Sequence, residues 1–471
     1  MRPLYVDLDG TLIATDSLHE SLLQLVRVSP ASLLSLPLWL LRGKAAFKQE
    51  VASRAPIDVE SLPYRPEVLE LVRSARAAGR RTVLATASDG RLARSVASHL
   101  GLFDAVIASD GEHNLRGARK RAAIEADAGG RGFSYAGNGH VDLAVWRGAE
   151  AGVVVSRSEP LARRVAGLTT LEARIVPPRT PLKRYLYGVR LHQWLKNVLI
   201  FLPLMPVLHE LTRPIVLHAV LAFVAFGLMA SGIYVLNDLL DLESDRQHHR
   251  KRLRPFAAGE ITALEGLAVA VLLCTASLVL ALALLPAAFV GVLLLYMALT
   301  TAYSLFLKRR AVVDVFALAG LYTIRVAAGT AATGLPLSFW ILSFSMFIFL
   351  SLALAKRYVE LTGPAREVRR MKRDRGYQPG DATFVLCTGV AAGQMSVLLL
   401  GLYLHDQETV VRYGNPEYLW ILIPLLLFWI MRVWLKAIRG ALHDDPVVFA
   451  ARDWVSRLAV GIAALVLWAA D

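Results

Sequence analysis

The chain has 471 residues, 55% of them hydrophobic and 19% charged, with 52 Lys and Arg against 38 Asp and Glu for a net charge of +14. That length exceeds one ordinary domain and that apolar content exceeds a soluble one, so a wholly soluble globular protein is excluded. The two cysteines, Cys274 and Cys387, each sit inside an apolar run, which excludes a disulfide framework and a cysteine metal site. The positive charge lies in loops between apolar runs, so no nucleic-acid partner is needed to explain it.

Residues 1–9 lack the basic start and long apolar stretch of a cleavable signal, so the N-terminal part is expected to stay in the cytoplasm. Residues 3–8 form a short β-favouring run that breaks at Asp9-Gly10-Thr11, the pattern of a buried parallel strand ending at an active-site loop. A second run, 81–85, ends at Thr86-Ala87-Ser88, and a third, 132–136, ends at Gly137-Asn138. Strand and helix alternate throughout, which predicts a doubly wound α/β sheet with its site at the strand C-termini. Between Asp16 and Pro63 lies an insert of helical character. Its Leu-rich stretch 33–41, with Trp39 and the following Arg42 and Lys44, is too short to cross a bilayer. It either lies at a membrane interface or forms a buried helix of a cap. Residues 166–188, with Pro177, Pro178, Pro181, Arg174, Arg179, Lys183 and Arg184, read as a linker after a first domain of residues 1–165.

Asp7-Leu8-Asp9-Gly10-Thr11 resembles the DxDGT motif of the haloacid dehalogenase-like phosphohydrolases, and the match extends over most of the first domain. The resemblance implies a Rossmann-like α/β fold with a small helical cap over about 16–63. It makes Asp7 the nucleophile and Asp9 the general acid and base. Thr86 becomes the hydroxyl that holds the transferring phosphoryl group, and Lys120 the lysine of the third motif. Mg²⁺ would be held by Asp7, Asp9, Asn138 and Asp142. Asn138 departs from the pattern, since the family usually places an acid after the glycine; its carbonyl ligates Mg²⁺ but adds no charge. The alternative is a degenerate phosphatase retained as a docking or regulatory domain.

From residue 189 onward, apolar runs near 190–209, 215–236, 262–284, 286–306, 312–333, 338–356, 382–404, 417–437 and 452–470 predict an all-α domain of about nine spanning helices. Basic loops at 246–254, 308–310 and 356–375 place one side of it in the cytoplasm, with the N-terminal domain. After the second run, Asp238, Asp241 and Asp245 are spaced to share one face of a helix at the membrane boundary. Oxygen ligands in that setting suit Mg²⁺, the alternative being a solvated helix cap. Arg246, Arg250, Lys251, Arg252 and Arg254 follow before Pro255-Phe256-Ala257-Ala258-Gly259, and acid followed by base suits a metal-bridged anion. Lys196, Asp314, Arg325, Lys356 and Arg357 would each be expensive in lipid and are expected to face a polar cavity, although Lys196 and Lys356 could instead snorkel to the surface.

Asn237-Asp238-Leu239-Leu240-Asp241-Leu242-Glu243-Ser244-Asp245 resembles the NDxxDxxxD motif of the UbiA superfamily of intramembrane prenyltransferases. The segments at 192–197, 251–261, 303–314 and 354–361 look most like its decaprenyl-phosphate phosphoribosyltransferase branch. The superfamily's second acidic motif is altered to Lys356-Arg357-Tyr358-Val359-Glu360, followed by Arg366, Arg369, Arg370, Lys372, Arg373, Asp374 and Arg375. The resemblance implies transfer of 5-phosphoribose from 5-phosphoribosyl diphosphate (PRPP) to a polyprenyl phosphate in a bacterial-type inner membrane. It further implies Mg²⁺ on Asn237, Asp238, Asp241 and Asp245, and substrate contacts from Lys196, Arg252, Arg254, Tyr303, Asp314, Arg325, Lys356 and Arg357. The first domain would then remove the product's 5-phosphate. Two alternatives stand beside this: prenyl transfer from a prenyl diphosphate to an aromatic or other acceptor, and a lipid-binding scaffold or transporter with a degenerate hydrolase domain.

Overall fold

A computed structural model describes residues 1–110, 112–364, 375–406, 411, 413–442, 449–450 and 452–470. Arg366, Arg369, Arg370, Lys372, Arg373 and Asp374 lie outside these described residues. The chain forms two units, residues 1–189 with 234–270, and residues 190–233 with 271–471.

The first unit is built on a six-stranded sheet in the order β3-β2-β1-β4-β5-β6, with every pairing parallel. The strands are β1 (Leu4–Val6), β2 (Thr82–Asp89), β3 (Ala105–Ser109), β4 (Ser134–Gly137), β5 (Ala151–Val155) and β6 (Thr170–Ile175). β1 is central and buried on both faces, which is why it reads as an unbroken apolar run. Val6 pairs with Leu84 on one side and Ala136 on the other, so the residues just past the ends of β1 and β4 and the end of β2 come to one edge of the sheet. Leu4, Val6 and Leu84 pack on one face against Val68, Val72 and Val96, and Tyr5, Val83 and Tyr135 on the other against Ile124 and Trp146.

The helical insert contains α1 (Ser17–Val28), α2 (Leu36–Leu41) and α3 (Lys44–Arg54). Asp16 starts α1 by accepting hydrogen bonds from the backbone N–H groups of Leu18 and His19. The insert has its own small core of Leu25, Trp39, Val51 and Ala55. Trp39 is 5% exposed with the Arg54 guanidinium 4.5 Å from its ring centre, so it is a core residue of a cap and not an interfacial anchor. The exposed apolar side chains nearby are Leu34, Leu38, Leu40 and Leu41.

The sheet extends past residue 165. β6 pairs with β5 through Val153 with Ala173 and Val155 with Ile175, inside the stretch that its prolines and cations suggested was a linker. The helix Leu182–Gly188 follows, leaving residues 167–169 and 176–181 of that stretch without regular structure. Residues 234–270 complete this unit with the end of the helix Arg213–Leu240, the short helix Leu242–Arg246 and the start of the helix Ala263–Leu284. Val235, Leu239, Leu242, Phe256 and Ile261 form its core, joined by Leu23 of α1.

Among the described residues, seven helices are long and apolar enough to cross a membrane, and the chain is a multi-pass membrane protein. They are Arg213–Leu240, Ala263–Leu284, Ala287–Arg309, Val313–Thr333, Phe339–Thr362, Pro379–His405 and Pro416–Ile438. The expected count of nine included two further runs that take other forms. Leu191–Glu210 is a 3₁₀ stretch containing Pro203 and Pro206 and broken at Val207 (φ −130°, ψ 31°), because proline removes the N–H donors a regular helix needs. Trp454–Ala470 has 17 residues, at the lower edge of spanning length.

Within the second unit, helices approach through small residues, as expected where no hydrophobic effect drives association. A Cβ on Gly329 would lie 2.0 Å from the Ile200 carbonyl oxygen, and one on Gly389 would lie 2.3 Å from the Trp434 ring. The Ser351 hydroxyl donates to the Gly389 carbonyl at 2.7 Å and accepts from Trp434 Nε1 at 3.0 Å.

Candidate active sites

The C-terminal edge of the sheet collects Asp7, Asp9, Thr86, Lys120, Asn138 and Asp142. Lys120, on the helix Ala118–Ala128, is 4% exposed and donates to Asp7 at 2.8 Å and to the Tyr135 hydroxyl at 3.1 Å. Tyr135 in turn donates to Asp142 at 2.7 Å, and Lys120 Nζ lies 3.6 Å from the same carboxylate. Asp142 also accepts from the backbone N–H groups of Asn138 (3.3 Å) and Gly139 (3.0 Å). Asp9 accepts from the Ser17 backbone N–H at 2.8 Å and from the Ser88 hydroxyl. The Thr86 hydroxyl is buried and accepts from the Ser88 N–H at 3.1 Å. Gly10 has φ +71°, and a Cβ there would sit 2.1 Å from Asn138 Nδ2, so the loop after β1 requires glycine on two counts.

Burial pushes the Asp7 carboxyl up to about 7; Lys120 pulls against this, while Asp142 and Asp9 add to it. Burial also raises Asp9, with Asp16 adding to the effect. Burial opposes the charge on Lys120, but Asp7 and Asp142 outweigh it and hold its pKa above the ordinary value. Acid and base shift in the same direction, because burial disfavours the ionised carboxylates while the carboxylates around Lys120 favour its ammonium, so the pocket retains protons. That donor set, anionic and oxygen-rich with the Asn138 carbonyl nearby, fits a hard divalent cation.

The aspartate segment forms a second cluster in the same unit. Arg254 Nη1 lies 2.9 Å from Asp238 and 2.5 Å from Asp245, so two carboxylates seven residues apart converge on one cationic nitrogen. Lys251 Nζ lies 3.6 Å from Asp245. Asp238 and Asp245 are buried, Asn237 and Asp241 half-buried, and Arg252 exposed. Asp241 lies apart from the shared nitrogen, with its Oδ1 4.0 Å from Arg27 Nη1. A solvated cap would not bury two of the three acids, and carboxylates that already share one positive group fit a metal cation chemically. Among the described residues, no three His, Cys, Asp or Glu side chains form a ready-made metal cage.

The cations expected in the spanning helices occupy two places in the second unit. Asp314, fully buried, accepts from Arg357 Nε at 2.6 Å and from the Tyr377 hydroxyl at 2.7 Å. Arg357 also pairs with Glu360, and Arg375 donates to the Tyr303 hydroxyl at 3.0 Å and lies 3.7 Å from Asp314. Arg357 is 1% exposed, so its guanidinium faces this network and no open cavity. Arg325 donates to Asn197 Oδ1 at 3.0 Å and to the Leu321 carbonyl, with the rings of Phe226, Tyr296 and Tyr322 5.2–5.5 Å away. Lys196 lies 5.4 Å from the centre of the same Tyr322 ring, and Lys356 is half-buried.

Several residues of these clusters were not singled out beforehand. Tyr135, Ser17 and Ser88 lie within a few residues of recognised motifs, and only their pairing with Asp142 and Asp9 reveals them. Lys48 of α3 donates to the Ala87 carbonyl at 2.8 Å, bringing a cap cation to the end of β2. Burial lowers its pKa.

The two parts of the chain match two known families. Residues 202–456 match the UbiA prenyltransferase family, and residues 4–147 match the haloacid dehalogenase-like hydrolases. An uncharacterised protein of Sinorhizobium fredii, y4nM, is 40% identical over 96% of this chain and 88% of its own length. Decaprenyl-phosphate phosphoribosyltransferase of Mycobacterium tuberculosis is 32% identical over 60% of this chain and 92% of its own. A solved UbiA homologue from Archaeoglobus fulgidus bound to DMAPP and Mg²⁺ is 18% identical, covers 60% of this chain and 99% of that chain, and superposes with a TM-score of 0.46. The chain is therefore a transferase of the UbiA prenyltransferase family that carries a haloacid dehalogenase-like hydrolase domain at its N-terminal end.

Proposed function

We propose that the chain transfers 5-phosphoribose from PRPP to a polyprenyl phosphate and that its hydrolase domain then removes the 5-phosphate, both at the cytoplasmic face. The observation that carries the transfer step is the convergence of Asp238 and Asp245 on Arg254 Nη1, a cation-binding acid pair beside a cation suited to a diphosphate. The likeness to a decaprenyl-phosphate phosphoribosyltransferase over 92% of that protein's length favours a phosphorylated sugar donor over a prenyl diphosphate.

In the transfer step the C1–oxygen bond to diphosphate breaks with its electron pair leaving on diphosphate, and a lipid phosphate oxygen forms the new bond to C1. Mg²⁺, held by Asn237, Asp238, Asp241 and Asp245, would offset the charge of the departing diphosphate. Arg254 turns from the acids toward that anion, and Arg252 is exposed to assist it. Of the substrate residues proposed in the second unit, Lys196, Tyr303 and Lys356 would contact donor or lipid. Asp314 and Arg357 act by holding each other, and Arg325 by fixing Asn197.

In the hydrolase step Asp7 attacks the 5-phosphate phosphorus and the ribose oxygen leaves with a proton from Asp9. Water then cleaves the aspartyl phosphate as Asp9 takes a proton back. Lys120 and the Thr86 hydroxyl hold the phosphoryl oxygens. Asp7, the Asp9 loop and Asn138 would hold Mg²⁺, with Asp142 reinforcing the charge from behind Lys120.

The test is incubation of purified protein with PRPP, a polyprenyl phosphate and Mg²⁺, followed by mass spectrometry of the lipid. A lipid carrying ribose without its 5-phosphate supports both steps, and one that keeps the 5-phosphate supports only the first. Absence of any ribosylated lipid, with prenyl transfer from a prenyl diphosphate instead, overturns the reading.

A further inference from the structure

One face of α1 is given over to the aspartate segment. Glu20, Leu23, Gln24 and Arg27 recur at the helical spacing that aligns side chains on a single stripe. Arg246, directly after Asp245, places Nη1 and Nη2 at 2.7 and 2.6 Å from the two Glu20 oxygens, with both side chains 6% exposed. Its Nε donates to the Ala257 carbonyl at 3.0 Å. Gln24 donates to Glu243 at 2.9 Å, Arg27 approaches Asp241, and Leu23 joins the core formed by Val235, Leu239 and Phe256. Gly259, with φ +71°, lies so close that a Cβ would be 3.0 Å from Pro63 and 3.1 Å from Ala14. The basic run therefore divides in two: Arg254 faces the acids, whereas Arg246 is turned away from them, its two terminal nitrogens held by Glu20 of the hydrolase domain.

A buried two-pronged carboxylate–guanidinium pair fixes both direction and distance. Without Glu20, the Arg246 guanidinium is a desolvated charge next to Asp245 and takes the nearest carboxylate, in competition with a metal cation. We propose that Glu20, a residue of the hydrolase domain's cap, is a positioning residue for the transferase's cation site. It holds the helix Leu242–Arg246 in register and keeps Arg246 out of the acid cluster. The hydrolase domain is thus a structural part of the transferase, beyond any use of its product. This rests on the reading of the aspartate segment as a cation site, and not on the identity of the sugar donor.

The test uses the full chain in lipid nanodiscs and reads Mn²⁺ binding by electron paramagnetic resonance, with Asp7→Asn present throughout to weaken the hydrolase site. Glu20→Gln should weaken Mn²⁺ binding at the aspartate site about 10- to 100-fold, the range typical when a partner behind metal ligands is lost. The charge-reversed pair Glu20→Arg with Arg246→Glu should recover most of that affinity, which a general loss of packing would not. Should the reversed pair fail to fold, Arg246→Gln serves, because deleting the competing cation from the Glu20→Gln protein should restore Mn²⁺ binding. In an otherwise wild-type chain, Arg246→Gln should leave hydrolysis of p-nitrophenyl phosphate within about twofold, since Arg246 touches no residue of that pocket. Unchanged Mn²⁺ binding in a folded Glu20→Gln protein overturns the proposal. Mn²⁺ binding that responds as described in a protein unable to use PRPP would overturn the proposed donor and leave this inference standing.

Discussion

The hydrolase pocket and the Asp314 network of the second unit both bury acids with bases, but their charge balance differs. Around Lys120 stand Asp7, Asp142 and Asp9, an excess of negative charge, and burial, with Asp142 and Asp9 adding to it, pushes Asp7 up to about 7. Around Asp314 stand Arg357, Arg375 and the Tyr377 hydroxyl, with Glu360 closing the circuit on Arg357. The first cluster is short of positive charge, and the second supplies its own. A shortfall suits a site that receives a cation and an anionic substrate, whereas a balanced network suits a fixed post inside a membrane domain, where an unpaired charge is very costly. The aspartate segment lies between these cases, since Arg254 satisfies Asp238 and Asp245 yet is itself 23% exposed on its side chain and able to turn away.

The largest effects should come from removing the chemistry of the deficient pocket. Asp7→Asn should lower phosphate release by about 10⁴-fold or more, as when other enzymatic nucleophiles are deleted. Transfer to the lipid should continue and the 5-phosphorylated lipid should accumulate. Equal phosphate release from wild type and variant would mean that this domain does not act on that product. Next in size, Asp314→Asn should destabilise the membrane domain by about 3–5 kcal/mol, because it removes one of the two carboxylates that hold the buried Arg357 guanidinium away from water. Thermal unfolding in detergent reads this directly. The double change Asp314→Asn with Arg357→Met should be milder than the single, and a single variant as stable as wild type would show that the network is not a post. For the intermediate cluster, Asp238→Asn should raise the Mg²⁺ concentration for half-maximal transfer by at least the roughly 10- to 100-fold seen for losses behind metal ligands, while leaving the melting temperature close to wild type. An unchanged Mg²⁺ requirement would place the cation elsewhere.

Much of the architecture was legible because it is local. Asp7-Leu8-Asp9-Gly10-Thr11 marks a strand end and its loop within five residues. The aspartates from 238 to 245, spaced as one helix face, instead fall on two helices that meet at Asp241, and only Asp238 and Asp245 converge. The rest depends on partners distant in the chain. Glu20 and Arg246 are 226 residues apart, and each alone reads as an exposed helical charge. Arg357 reads as a lone cation in a spanning segment, and its pairing with Asp314, 43 residues earlier, shows only in the folded chain. β6 was hidden because Thr170, Glu172 and Arg174 alternate with Leu171, Ala173 and Ile175, the pattern of an edge strand with a solvated side. Trp39 next to Arg42 and Lys44 resembled an interfacial anchor, but α3 supplies the core that buries it and Arg54 covers its ring.

The smallest expected effect follows from burial in the hydrolase pocket. In the unfolded chain the Asp7 carboxyl titrates at its ordinary 3.8, and in the folded pocket it is pushed up to about 7 by burial. The folded state therefore favours its protonated form. Stability from this group is fully present below about pH 4 and is lost as pH rises through about 7. Lys120, also raised, stays charged over this whole range and contributes no slope until well above it. The metal-free protein should then lose stability between pH 5 and pH 8 by about 2–3 kcal/mol, a fall of several degrees in melting temperature for a domain of this size. Other groups titrate over the same range, so the informative quantity is the difference between wild type and Asp7→Asn in EDTA, where the variant's curve should be flatter. Mg²⁺ binds the ionised carboxylates and competes with the protons, so adding it should recover the loss at pH 8 and do little at pH 5. Parallel wild-type and variant curves, or equal stabilisation by Mg²⁺ at both pH values, would show that Asp7 is not the group carrying the pocket's excess negative charge.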